Sequence, residues 1–147
     1  MKTFKMMSIL AILFACFVSS CSKDDSTNNP LVGHWYFTSN SDYADNSIEF
    51  KADGKGIWYD GDYEPIKYTY DEESQTLSII WSEDGSNYDS YSEVNWDNFK
   101  NVNDVYVFSV KFNGDIMQWL DHDDGSYSYG TLRRVDKFPY HTLYEDD

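Results

Sequence analysis

Two hydrophobic patterns divide the chain. Residues 6–18 are apolar except for Ser8. Beyond Leu31, apolar residues come instead in short alternating runs separated by pairs of turn residues. Residues 33–37 open that series. Residues 47–51 follow with Ile48 and Phe50 on one face, then 56–60 with Ile57, Trp58 and Tyr59. Residues 66–70 alternate throughout, and 76–81 place Leu77, Ile79 and Trp81 together. Residues 105–112 are the most regular, with Tyr106, Phe108, Val110 and Phe112 in step, and 116–121 and 127–135 complete the series. A period of two over such lengths predicts strands. The pattern is weakest over 83–104. There Tyr88, Val94 and Trp96 share a parity and predict one more strand, with 96–104 as a loop.

Turn chemistry sets how the strands connect. Asp53-Gly54, Asp60-Gly61, Asp84-Gly85, Asn113-Gly114 and Asp124-Gly125 fall between the runs. Such pairs tolerate the positive φ of tight hairpins, so successive strands pair antiparallel. Eight or nine strands in that order predict an all-β fold, an antiparallel up-and-down β-barrel, because closure removes two sticky edges.

The apolar run at the start has a different meaning. Lys2 and Lys5 precede it, and its 13 residues fall short of the roughly 20 that a spanning helix needs. Val18-Ser19-Ser20-Cys21 ends it with small residues before a cysteine. This layout resembles a bacterial lipoprotein signal, which implies cleavage before Cys21 and lipid on its thiol. Cys16 is the competing site, but Phe14 is bulky beside a cleavage point and the apolar core would be very short. Ser22-Lys23-Asp24-Asp25 resembles the surface-export tether of Bacteroidetes lipoproteins. That resemblance assigns Lys23, Asp24 and Asp25 to export. It implies an outer-membrane protein facing the cell exterior, with the periplasmic face as the alternative. The expected organisation is a signal over 1–20, a lipidated cysteine and flexible tether over 21–30, a barrel over 31–135 and an acidic tail over 136–147.

Charge narrows the partners. Without the signal, nine basic residues face 26 acids, a net of −17. Nucleic acid is a poor fit, since phosphate backbones need basic surface. Bare anionic lipid is equally poor, so the membrane is reached through the lipid on Cys21. A basic protein partner suits the acidity. With Cys16 removed and Cys21 lipidated, no disulfide is available, and burial must hold the fold. Aromatics supply it: 24 of the 27 lie beyond the signal.

Gly33-His34-Trp35 on the first strand, the meander, and Arg133-Arg134 on the last resemble the lipocalin-like superfamily. Glu49 to Gly56 also resembles the second hairpin of lipocalin-like lipoproteins from the Bacteroidetes. The resemblance implies a brace at one barrel end, made of Gly33, Trp35 and a basic residue from the last strand, Arg133 or Arg134. Parity with Leu132 and the nearby Gly130 favour Arg134. The missing disulfides, the missing helix after the barrel and the short chain separate it from typical lipocalins.

Chemistry is sparse. There is no Gly-x-Ser-x-Gly elbow and no free nucleophilic cysteine, and spacing brings none of His34, His122 and His141 together. An enzyme is not expected. Asp121-His122-Asp123-Asp124-Gly125 has the acid pattern that starts a calcium loop, but Leu132 stands where a bidentate Glu is needed. No metal and no cofactor are expected. The aromatics Trp58, Tyr68, Tyr70, Trp81, Phe108, Phe112, Trp119, Tyr127 and Tyr129 are assigned to the barrel interior. They either fill it or line a site for a small apolar or sugar-like ligand. Tyr88, Tyr91, Trp96 and Phe99 would form an exposed aromatic patch. Three classes compete: a non-enzymatic ligand-binding barrel; an interaction module such as an inhibitor or toxin-neutralising lipoprotein that docks a basic partner on acidic, aromatic loops; and, least favoured, a glycan-acting enzyme built on two convergent carboxylates.

Overall fold

The computed structural model describes residues 29–38, 42–82, 87–100 and 104–140. Cys21, the expected lipidation site, the expected tether residues Lys23, Asp24 and Asp25, His141 and the Asp84-Gly85 turn lie outside these. Leu31–Asp147 is one compact unit. Eight strands run β1 (Gly33–Phe37), β2 (Ser47–Phe50), β3 (Lys55–Tyr59), β4 (Tyr63–Asp71), β5 (Thr76–Trp81), β6 (Tyr106–Asn113), β7 (Ile116–Asp121) and β8 (Ser128–Val135). Each pairs antiparallel with the next, and β8 pairs with β1 to close the barrel. The all-β up-and-down barrel is therefore the fold, with eight strands.

The ninth strand is a correction. Tyr88 makes only an isolated bridge to Tyr63. Val94 and Trp96 flank and begin short 3-10 turns, Tyr91–Glu93 and Trp96–Asn98. The segment runs over the outer wall, pinned by cations against its aromatics. Lys51 and Lys55 lie 4.8 and 5.5 Å from the Trp96 ring, and Lys67 lies 4.4 Å from Phe99. The shared parity reflected side chains packed onto the barrel, not a ladder. Tyr91 is thus part of a packed strap, although 40% exposed.

Register explains the core. Ile48 pairs with Trp58, Tyr68 with Ile79, Leu77 with Phe108, Val110 with Trp119 and Met117 with Leu132. Antiparallel partners share a face, so these pairs all point inward. Trp35, Phe37, Ile48, Ile66, Leu77, Ile79, Val110, Met117, Trp119 and Leu132 are fully buried. Trp119 sits in the centre, with ring centroids 4.7 Å from Phe108, 5.2 Å from Phe37 and 6.3 Å from Trp58. The interior around Trp119 is packed ring against ring.

The C-terminal segment covers a second apolar face outside the wall. Tyr36 and Ile57 point outward yet are buried. Tyr140 packs on Tyr36 at 4.7 Å, and Phe138 on His34 at 5.7 Å. Buried Ser47 fixes the register: its hydroxyl donates to the Tyr140 carbonyl at 2.9 Å and accepts from the Tyr140 N–H at 3.1 Å. Residues 136–140 therefore lie across the barrel.

Candidate functional site at the loop end

The barrel has two unlike ends. At the turn end the chain reverses through 51–54, 72–75 and 114–115. Gly54 and Gly114 adopt φ of 82° and 58° there, as Asp-Gly and Asn-Gly hairpins require. At the loop end lie the connections β1–β2, β3–β4, β5–β6 and β7–β8.

Arg134 braces the turn end. Its guanidinium carbon lies 4.3 Å from the Trp35 ring centroid, and Nη1 donates to the Val32 carbonyl at 2.9 Å. The Trp35 indole N–H donates to the Leu31 carbonyl at 2.7 Å. Gly33 makes room for this: at φ +137°, a Cβ would collide with Arg134 Nη1. Arg133 is not on Trp35. It lies between Tyr36 and Tyr140 on the outer wall.

The assigned interior aromatics divide by depth. Trp58, Tyr68, Phe108 and Trp119 are buried, and Tyr70, Trp81, Phe112 and Tyr129 are half-buried against the core. Tyr127 is a correction: it is 49% exposed and precedes β8. It stands at the rim of the loop end, while Tyr129 is re-aimed by a bulge. Trp119 pairs with Gly130 but Leu120 with Ser128, so Tyr129 is the extra residue. A bulge re-aims its side chain. Tyr129 thereby turns onto Phe108 at 5.2 Å and breaks the parity that put Tyr127, Tyr129 and Arg133 on one face.

The loop end gathers aromatics and carboxylates from five places. The β1–β2 connection drops Tyr43 onto Phe37 and Trp58, at 5.3 and 5.1 Å. That connection is tied to β8 by a hydrogen bond from Asp42 N–H to the Tyr129 carbonyl at 3.0 Å, and the Tyr127 hydroxyl donates to Asp42 Oδ2 at 2.6 Å. Trp81 meets Trp58 at 5.7 Å and Tyr106 at 4.9 Å, and Tyr106 is 49% exposed. Glu64 pairs with Trp58 and so shares its inward face. Burial, then the charges of Asp60 and Asp62, push the Glu64 carboxyl up, against a hydrogen bond from Asn87. Asp121 accepts from the Tyr129 hydroxyl at 3.0 Å and from the Asp123 and Asp124 amides. The Asp124 amide foremost, then Tyr129, holds its carboxyl below the usual range. Tyr43 is raised by burial first, then by Asp42 and Tyr106.

These contacts account for the acid-rich 121–125 segment. Asp121 and Asp124 cap their own turn, Asp124 by accepting from Ser126. Among the described residues no group of three His, Cys, Asp or Glu could hold a metal ion. His122 lies at the surface, 3.4 Å from the Ser109 hydroxyl.

The electrostatics of the end follow from its composition. The described residues of the β1–β2, β3–β4 and β7–β8 connections carry Asp42, Asp45, Asp60, Asp62, Asp123 and Asp124, with no Lys or Arg. Lys100 lies in the β5–β6 connection. Exposed rings among clustered carboxylates favour cations, by ring quadrupole and by field. Sequence reasoning passed over Tyr43 and Glu64. Tyr43 was an isolated aromatic in a polar loop, and Glu64 followed an acidic turn that hid the start of β4.

The fold and site define an eight-stranded antiparallel barrel with a packed interior and an acidic, aromatic loop end. Comparison with protein-family models, with curated proteins and with solved structures finds no match.

Proposed function

We propose that this chain is a lipid-anchored, non-enzymatic binding protein of lipocalin-like type, held in the outer membrane by Cys21 and facing the cell exterior. It works as an interaction module whose acidic, aromatic loop end docks a basic partner. One observation carries this reading: the rings around Trp119 occupy the interior, while Tyr106 and Tyr127 stand half-exposed among carboxylates at the loop end. A module of this form offers surface instead of a cup. Its acidity steers a basic partner and sets a salt-dependent on-rate.

A small-ligand reading has one specific observation in its favour. Among the described residues, the buried Trp119 indole N–H has no hydrogen-bond partner. A ligand hydroxyl or carbonyl reaching the interior would satisfy it.

Native mass spectrometry on protein extracted from its own membrane separates the two. A retained protein partner, lost at high salt and in the Asp42→Asn, Asp60→Asn, Asp62→Asn variant, is the expected result. A small molecule retained by wild-type and by that variant alike would overturn the interaction reading. Metabolic labelling with a fatty-acid analogue tests the anchor. Cys21→Ala should lose the label and Cys16→Ala keep it, and the reverse pattern would sink the assignment. Replacing Lys23, Asp24 and Asp25 with Ala should keep the label and remove protease sensitivity on intact cells.

A further inference from the structure

A second charged feature lies at the turn end. A cleft of about 500 Å³ opens beside the end of β8, and Arg133, Arg134, Lys137, Tyr140, Asp115 and Asp136 are in its lining. Three of the eight Lys and Arg residues beyond Lys23 thus meet at one cleft, in a chain that carries 26 acids.

The two arginines are held by rings. Arg133 sits 5.0 Å from the Tyr140 centroid and 5.7 Å from Tyr36, and its Nη2 donates to the Tyr140 hydroxyl at 2.7 Å. Arg134 lies over Trp35, with its Nε 3.8 Å from Asp115 Oδ1. An aromatic face fixes a guanidinium without neutralising it. Among the described residues neither Arg133 nor Lys137 forms an ion pair. A fixed guanidinium and an ammonium lining the same cleft, neither ion-paired among the described residues, suit an oxyanion.

We propose that this cleft binds a phosphate monoester group of an external ligand. Arg133 supplies a planar pair of donors and Lys137 a point charge, and together they match a dianion, where a single carboxylate would match only one. Asp115 is directed to Arg134, and with Asp136 also in the lining three cations face two carboxylates, so the cleft keeps a net positive charge. The negative charge of the loop end is screened over about 8 Å at physiological salt, so it does not exclude an anion here. The phosphate belongs either to a free phosphorylated molecule or to a lipid headgroup.

The test uses the full chain in nonionic detergent at physiological salt. Inorganic phosphate is titrated while the amide resonances of residues 133–137 and the Arg133 side chain are followed. Saturable shifts are expected, weakened about tenfold or more in the Arg133→Gln, Lys137→Gln variant. Arg134 is kept, and an unchanged thermal midpoint shows that the brace is intact. Vesicle binding separates the sources: excess binding to phosphatidic acid over phosphatidylcholine vesicles, lost in the same variant, assigns the headgroup. Phosphate saturation without that excess assigns a free molecule. Absence of both overturns the proposal, as does either effect surviving in the variant. The sequence also places Glu145, Asp146 and Asp147 shortly after Tyr140. If phosphate saturates the cleft only when these become Gln, Asn and Asn, the cleft belongs to the chain's own terminus and the proposal falls.

Discussion

The two ends of the barrel use the same residue types for opposite purposes. At the turn end Trp35 is fully buried, its N–H is satisfied by Leu31, and Arg134 covers its face. At the loop end Trp81, Tyr129 and Tyr43 are half-buried, while Tyr106 and Tyr127 stand half in water. Charge differs likewise. At the turn end Lys51, Lys55, Lys111, Arg133, Arg134 and Lys137 offset Asp53, Asp71, Glu72, Glu73, Asp115 and Asp136, whereas the described β1–β2, β3–β4 and β7–β8 connections of the loop end carry carboxylates without Lys or Arg. An aromatic side chain closed over by a cation and a carbonyl contributes stability. One left half in water among carboxylates is, in the proposed function, the one that meets a partner. The difference teaches that aromatic content alone does not locate a binding site. What surrounds each ring does.

If this division is right, substitutions at the two ends should separate. Trp35→Ala should have the largest effect, a loss of about 3–5 kcal/mol, because it leaves a cavity under the brace. Tyr127→Phe, which removes one exposed hydroxyl, should leave the unfolding midpoint essentially unchanged. Urea unfolding of both variants checks the contrast, and similar costs would erase it.

Arg134→Gln should cost less, about 0.5–2 kcal/mol, since it removes the guanidinium from the indole face. Arg133→Gln should leave Trp35 unaffected. Trp35 fluorescence in a background where the other tryptophans are Phe reports the difference. A shift caused by Arg133→Gln alone would contradict the assignment of the brace.

The smallest effect is set by pH. Burial pushes the Tyr68 hydroxyl up to about 12, with Asp53 adding to the rise. Its phenol donates to the Lys51 carbonyl at the turn end. The folded value lies above the unfolded value of about 10. The contribution is therefore whole below pH about 10 and is lost as pH rises through about 12. Tyr68→Phe should cost about 0.5–1.5 kcal/mol at neutral pH and flatten the decline above pH 10. Unfolding midpoints measured from pH 8 to 12 check it.

Much of the barrel was legible because its period-two runs are bounded by Asp-Gly and Asn-Gly pairs. Residues 76–81 and 116–121 were read to their ends. The brace was legible too, since Leu132 fixed the inward parity of Arg134. The loop end was not. Tyr129 turns inward through a bulge that no alternation rule anticipates, and Tyr43 reaches the interior from a polar loop. The outer strap over 87–100 resembled a strand because it is aromatic on one side, but cations, not backbone ladders, hold it. The β4 start was hidden because Pro65 and three nearby acids look like loop.

The most direct test of the central claim is a titration of the full chain with short polylysine, read by residue-specific NMR shifts at low and physiological salt. Shifts confined to Asp42, Tyr106, Asp121 and Tyr127, weakening with salt and leaving Trp35 and Trp119 unmoved, are the predicted result. Shifts at Trp35 and the turn end, or none at the loop end, would contradict it.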